Sequence, residues 1–535
     1  MEDVSVRLNG EEKKPMRITK RMAQASAVLA ATALALSACG GGTSKSGSTA
    51  GSDGKATGAI TVGAAYETTD YGPITTSALA MGVNWSVLEG LYEFDMSDYS
   101  TRAALAAGDP KKVSDTEYEI TLRDGAKFSD GKDVTSKDVI SSYKRATADK
   151  SIYKQFFGFV DSVNAKDDKT ITVKLKYPFE NIKARFVSVK VVPDGSDEDA
   201  LKAKPVGTGP YMYDSVTPTE VKLVPNPNYN GDKKATVGEL KYQALKDDSA
   251  RLSAAVGGTI DAMEAVPASA KAQLEGAGWK VEAVPGYGNP FLMFNTAKAP
   301  FDKAEVRQAL HYAIDTQKLV DTAMDGQAKP ATSFLPEANP SYKKAKVQFN
   351  YDANKAKELL AKNGVKDLSI TLTTTDHPWV TNLIPQIKQD LEAIGVKVAV
   401  KTMASADVYA NVTDIDNPTY DVVLAPGDPS VFGVDPGIII EWWNADNVWT
   451  QKRSHWKQSD PASWGKLQEI IKAANEATGD DAKAKWGEAQ DLLSEQAVTY
   501  PLFHRNMLTA WNEGKITGFK PIAATGLQTI GVGLK

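Results

Sequence analysis

Four histidines stand far apart at His311, His377, His455 and His504, and the single cysteine is Cys39, so no pair has the spacing of a metal site. No Gly-x-Ser-x-Gly elbow presents a nucleophile. Gly207-Thr208-Gly209 runs into Pro210, which denies a dinucleotide its helix N-terminus, and Gly131-Lys132 lacks the upstream glycine and following hydroxyl of a phosphate loop. Among 67 acidic residues, no facing pair for glycoside hydrolysis can be singled out. What the chain offers instead is recognition chemistry. Trp442, Trp443, Trp449, Trp456 and Trp464 crowd one stretch, and an indole can lie on a sugar ring or cover a peptide side chain while its N–H seeks an acceptor. The plainer reading is that most of them fill a seam between helices and sheet. Two or three are expected to reach a ligand, Trp442 and Trp443 first and Trp449 after them. No catalytic residue, metal or cofactor is expected.

Cys39 has a different meaning. Arg17, Lys20 and Arg21 precede an apolar run over residues 23–36, long enough for a signal sequence and short of the ~20 residues of a membrane-spanning helix. Leu36-Ser37-Ala38-Cys39 resembles a bacterial lipobox, so residues 1–38 are expected to be removed and Cys39 to be lipidated. The stretch before Met16 is read as a misplaced start or a long n-region and is left out of fold reasoning. Acyl chains contribute about 0.8 kcal/mol per buried methylene, enough in pairs to hold a domain on a membrane. Residues 39–58, rich in Gly, Ser and Thr, read as a flexible tether. The expected location is the outer face of the bacterial cell membrane, facing the periplasm in a Gram-negative cell. A formal charge of −5 with no basic stripe argues against nucleic acid, and without a second long apolar run the chain is no channel or permease.

The elements behind these residues read as α/β. Residues 59–64 open a first strand, 83–92 are helix-like, and Tyr118 to Leu122 alternate with period two ahead of the turn dipeptides Asp124-Gly125 and Asp130-Gly131. Thr135 and Asp138 form a capping box for a helix, and Asp302 with Glu305 is read as another, opening a helix over 300–315. Leu368, Ile370 and Leu372, then a helix from Trp379 to Ile394, then Gly395 and Val396, Val398 and Val400 make a βαβ unit. A third strand over 420–424 ends at Ala425-Pro426-Gly427-Asp428. Ligands of open parallel sheets bind outside the carboxyl ends of strands, which makes Asp428 the first ligand candidate. Two late helices span 464–477 and 482–496.

Leu91-Tyr92-Glu93-Phe94-Asp95, Leu122-Arg123-Asp124-Gly125-Ala126-Lys127-Phe128-Ser129-Asp130-Gly131, Gly207-Thr208-Gly209-Pro210-Tyr211, Phe294-Asn295-Thr296 and Val306-Arg307-Gln308-Ala309-Leu310 occur in this order. In that order and spacing the chain resembles family 5 of the extracytoplasmic solute-binding proteins, the oligopeptide- and dipeptide-binding lipoproteins of ABC importers. The resemblance covers the chain from about Ile60 to its end.

It implies a two-lobed, type II periplasmic-binding-protein-like fold with an extra α+β subdomain. Lobe one would comprise residues 59–95, 205–288 and 506–535, the subdomain 96–204, and lobe two 289–505. An oligopeptide would lie between the lobes and pass to permease and ATPase subunits, the receptor itself being a monomer. By the same resemblance Asp428 receives the peptide's α-amino group, with Ala425 and Gly427 as backbone partners. Two Asp-Pro pairs occur there, so Asp435 is the alternative. Tyr66 and Glu67 correspond to a ligand-contacting segment. The tryptophan-rich stretch leaves an oligosaccharide receptor open as a second reading, and a lipoprotein chaperone or interaction module without small ligand as a third.

Overall fold

The computed structural model describes residues 56–535, so the leader, Cys39 and the tether up to residue 55 lie outside the described residues. Its largest sheet runs in the order Lys280–Pro285, Phe503–Trp511, Ala262–Met263, Ala59–Ala64, Glu239–Ala244, Glu220–Pro225, Tyr211–Val216, with Ala328–Pro330 added alongside Phe503–Trp511. Ala59–Ala64 is parallel to both Glu239–Ala244 and Ala262–Met263. Its Ile60, Val62 and Ala64 are buried, as a half-covered strand requires. A five-stranded sheet takes Lys397–Met403, Ser369–Thr375, Val422–Gly427, Asn289–Phe294 and Thr499–Pro501, the first three being parallel neighbours. Between the segments of the large sheet sits a four-stranded antiparallel sheet of Lys111–Ser114, Glu117–Thr121, Thr170–Leu175 and Val160–Ala165. The helix Ser136–Ala146 packs on it, opened by the Thr135–Asp138 capping box. Two large sheets with an inserted α+β unit are the architecture expected from the sequence.

Two chain segments pass between the large sheets. Pro285 pairs in one sheet and Asn289 in the other, while Pro501 and Phe503 do the same in the opposite direction. They run hydrogen-bonded side by side, Gly286 N–H to the Arg505 carbonyl at 2.9 Å and Arg505 N–H to the Gly288 carbonyl at 2.8 Å. This two-stranded ribbon is the hinge. Gly286 serves close approach, since a Cβ there would stand 2.7 Å from the Ala523 carbonyl.

The inserted unit is joined to both halves. Toward the large sheet, Arg123 pairs with Glu89 at 3.1 Å. Toward the five-stranded sheet, Tyr153 and Phe156 meet Phe432 at ring distances of 4.9 and 5.5 Å, and buried Arg185 bridges Asp435 at 3.0 Å and Glu441 at 3.2 Å. Several local expectations shift. The first helix lies earlier, at Ala78–Val87, and Tyr92 already begins a strand. The helix expected from 300 begins at Ala304 with no side-chain cap, because Glu305 reaches Lys362 and Asn363 while the Arg307 guanidinium takes the Phe301 and Asp302 carbonyls. The βαβ helix divides into Pro378–Thr381 and Ile384–Ala393, with Pro385 restarting it.

Candidate functional site

Five parallel strands aim their carboxyl ends at one gap. From the large sheet, Ala59–Ala64 leads to Tyr66 and Glu67, Glu239–Ala244 to Lys246 and Asp248, and Ala262–Met263 to Ala265. From the facing sheet, Ser369–Thr375 leads to Asp376, His377 and Trp379, and Lys397–Met403 to Ala404 and Ser405. Arg505 and Asn506 of the hinge ribbon complete the wall around a cavity of about 270 Å³. Crevices at strand carboxyl ends are where open α/β sheets hold ligands.

The charges of this wall are unequally satisfied. Lys246 Nζ crosses the gap to Asp376 at 2.9 Å. Arg251 is consumed by the fold, binding the Leu245 carbonyl at 2.7 Å, the Ala265 carbonyl at 3.0 Å and Asp248 at 2.5 Å. Arg505 is 8% exposed and has no carboxylate within ion-pair distance among the described residues; its Nε–H has no acceptor. Its guanidinium carbon lies 3.8 Å from the Trp379 ring centre, and the Trp379 indole N–H is likewise without acceptor. Burial lowers the Arg505 pKa, opposed by the field of Tyr66, by a hydrogen bond to that side chain, and by the fields of Asp428 and Asp248. Burial raises the Tyr66 pKa, and the Arg505 cation opposes the rise. His377 is lowered by burial to about 4, its Nδ1 standing 3.0 Å from Thr375 Oγ1, so the wall carries a neutral imidazole at neutral pH.

The model of the bacterial extracellular solute-binding proteins, family 5 (middle) matches residues 101–450. The chain belongs to this family. The family is one of solute-binding proteins, not enzymes. The chain is 26% identical over 487 residues to the glutathione-binding protein GsiB of Salmonella typhimurium, covering 88% of this chain and 93% of the relative. It is 26% identical over 426 residues to the probable D,D-dipeptide-binding periplasmic protein DdpA of Escherichia coli, covering 76% and 80%. In fold it matches the dipeptide-binding protein of Pseudoalteromonas sp. SM9913 in complex with Met-Leu, with a TM-score of 0.79 at 19% identity over 89% of this chain and 100% of the other. No described helix of the solute-binding protein is long and apolar enough to cross a membrane.

Of the residues expected at the ligand, this solute-binding protein brings Tyr66 and Glu67 into the cavity wall. The other seven lie away from it. Asp428 is buried with both oxygens engaged, one by Ser430 N–H and Oγ–H and the other by Thr525 N–H at 2.7 Å and Oγ1–H at 2.9 Å. Ala425 and Gly427 pair in the ladder opposite Phe291 and Asn289, and a Cβ on Gly427 would strike the Trp443 ring. Asp435 caps the helix Pro436–Asn444 and is held by Arg185 and Asn181. Trp442 packs on Phe156 and Phe432, Trp443 on Phe291 and Phe334, and Trp449 on Phe291, Tyr409 and the Arg453 guanidinium. Trp442 and Trp443 are core because the helix Pro436–Asn444 that carries them is buried from Gly437 onward, and Trp449 is buried on the following turn, Trp449–Arg453.

Lys246, His377, Trp379 and Arg505 were not expected at the ligand from the sequence. The strand-end rule that singles out Asp428 applies equally to the first strand of the βαβ unit, Ser369–Thr375, whose exit Thr375-Asp376-His377-Pro378-Trp379 is polar, aromatic and about to start a helix. Arg505 carries no local signal, since only the pairing of the hinge ribbon turns it inward.

Proposed function

We propose that this protein is the receptor of an ABC importer for short peptides of two or three residues, which it holds between its lobes and delivers to a permease driven by a separate ATPase. The cavity carries this reading: both lobes and the hinge ribbon wall it, and its roughly 270 Å³ lies just below the ~300–1,000 Å³ usual for ligand pockets. The expected oligopeptide thereby narrows to a short one. The two curated relatives, named for glutathione and D,D-dipeptides, support small peptide-like cargo. Flat stacking of Trp442, Trp443 and Trp449 on a sugar, the feature that would favour an oligosaccharide, has no support in rings packed inside the core. The lipobox-like run ending at Cys39 supports anchoring of a monomer at the outer face of the membrane.

Ligands that bind only the folded form raise its melting temperature by mass action. Alanine peptides of two to five residues, with oligosaccharides in parallel, test the reading. Dipeptides or tripeptides are expected to raise the melting temperature, with the effect falling away at four and five residues. A rise with oligosaccharides alone, or with pentapeptides in preference to tripeptides, overturns it.

A further inference from the structure

Arg505 is a buried cation with no counter-ion in a wall where the other cations are matched. Lys246 has Asp376, and Arg251 has Asp248 and backbone carbonyls. Glu264 is buried behind Ala65 with one oxygen on that residue's amide, and it stands outside ion-pair distance of Arg505. Contact with the Trp379 face returns only part of what it costs to take the ion out of water. An arginine kept there for packing alone would serve better as a neutral chain of the same length. Arg505 and Trp379 line the same cavity beside Tyr66, and no carboxylate there pairs with the guanidinium, which leaves its fork and positive charge to the cavity. That set matches an oxyanion, and the planar fork of arginine matches a carboxylate best.

We propose that Arg505 is the specificity-determining residue of this cavity: its guanidinium receives the terminal carboxylate of the ligand, so cargo is taken as the free acid. The assignment rests on the cavity being the ligand site. Arg505 lies in the hinge ribbon, its backbone fixed on both sides by Gly286 and Gly288. Trp379 and His377 border the same cavity from the exit of Ser369–Thr375.

The test measures calorimetric affinity of alanine dipeptides and tripeptides, as free acids and as C-terminal amides, for the mature wild type, Arg505→Gln and Arg505→Lys. Losing one side of a buried, hydrogen-bonded charge pair costs about 30-fold or more in affinity. Amidation is expected to cost the wild type that factor. Arg505→Gln should lose the same factor for acids and none for amides, and Arg505→Lys should recover part. The ligand-free melting temperature of Arg505→Gln should equal or exceed that of wild type, a sign that a merely structural role would not give. Equal binding of acid and amide by the wild type overturns the proposal, as does an Arg505→Gln protein that loses both alike and melts lower. If no peptide binds, small organic acids and their amides are compared by melting temperature. Acids raising it, with loss of the rise in Arg505→Gln, overturn the peptide reading and uphold Arg505; amides doing as well, or no acid acting, overturn Arg505.

Discussion

Asp428 separates where a residue sits from what it is free to do. The strand-end argument placed it correctly at the close of Val422–Gly427, in the seam between the two halves. Its carboxylate is nonetheless spent on Ser430 and on Thr525 from the C-terminal tail. Burial raises its pKa while those donors oppose the rise. Asp428→Ala would leave the Thr525 and Ser430 donors without their acceptor, so we expect a loss of about 2–3 kcal/mol in urea unfolding. Peptides with free and with acetylated amino ends should weaken by the same factor, and calorimetry showing a selective loss for the free amine would restore Asp428 to the ligand. None of this was legible from Gly427-Asp428-Pro429, because the partner that captures the side chain comes 97 residues later. Tyr66 and Glu67 were legible because they leave their strand directly into the gap.

At the scale of elements, local rules hold where no distant group competes. The Thr135–Asp138 box forms as its spacing demands, the Thr135 amide donating to Asp138 at 2.9 Å. The Asp302–Glu305 pair has the same spacing and fails, because Lys362 at 2.6 Å and Asn363 at 2.9 Å draw Glu305 toward another helix. Gly207-Thr208-Gly209-Pro210 shows what a Gly-x-Gly run that is no dinucleotide-binding turn does instead. The two glycines let this segment lie directly on the end of the helix Ala78–Val87, and Gly209 N–H bonds the Val87 carbonyl at 2.9 Å. A Cβ at Gly207 would collide with that same carbonyl, and one at Gly209 would lie 2.6 Å from the Ser86 carbonyl. Backbone atoms cannot step aside as a flexible side chain can. Gly207→Ala should therefore cost about 3 kcal/mol, at the upper end for overpacking, read as a lower urea midpoint with an unchanged slope; a cost under about 0.5 kcal/mol, the range of an ordinary surface change, would refute the close approach.

For the whole molecule, the resemblance carried by the order of its motifs implied two α/β lobes with an insert, whereas the cavity emerges only from the pairing of segments hundreds of residues apart. The gap is crossed by Lys246–Asp376, whose side chains are 43% and 33% exposed. An exposed pair of this kind contributes about 0–1 kcal/mol. It can guide closure but cannot hold the lobes shut. Lys246→Ala should weaken peptide binding by no more than about fivefold, and the difference from wild type should vanish in 1 M salt, where the Debye length is about 3 Å. A larger deficit that survives high salt would mean that Lys246 contacts cargo. The strand Phe503–Trp511 lies inside the largest sheet, between Lys280–Pro285 and Ala262–Met263, although it is nearly the last strand made. During synthesis the first lobe must wait, with two unpaired edges, until almost the entire polypeptide has left the ribosome. A chain released before Phe503 can assemble the strands of the five-stranded sheet but has no route to a finished large sheet, so truncation there leaves the cavity without one of its walls.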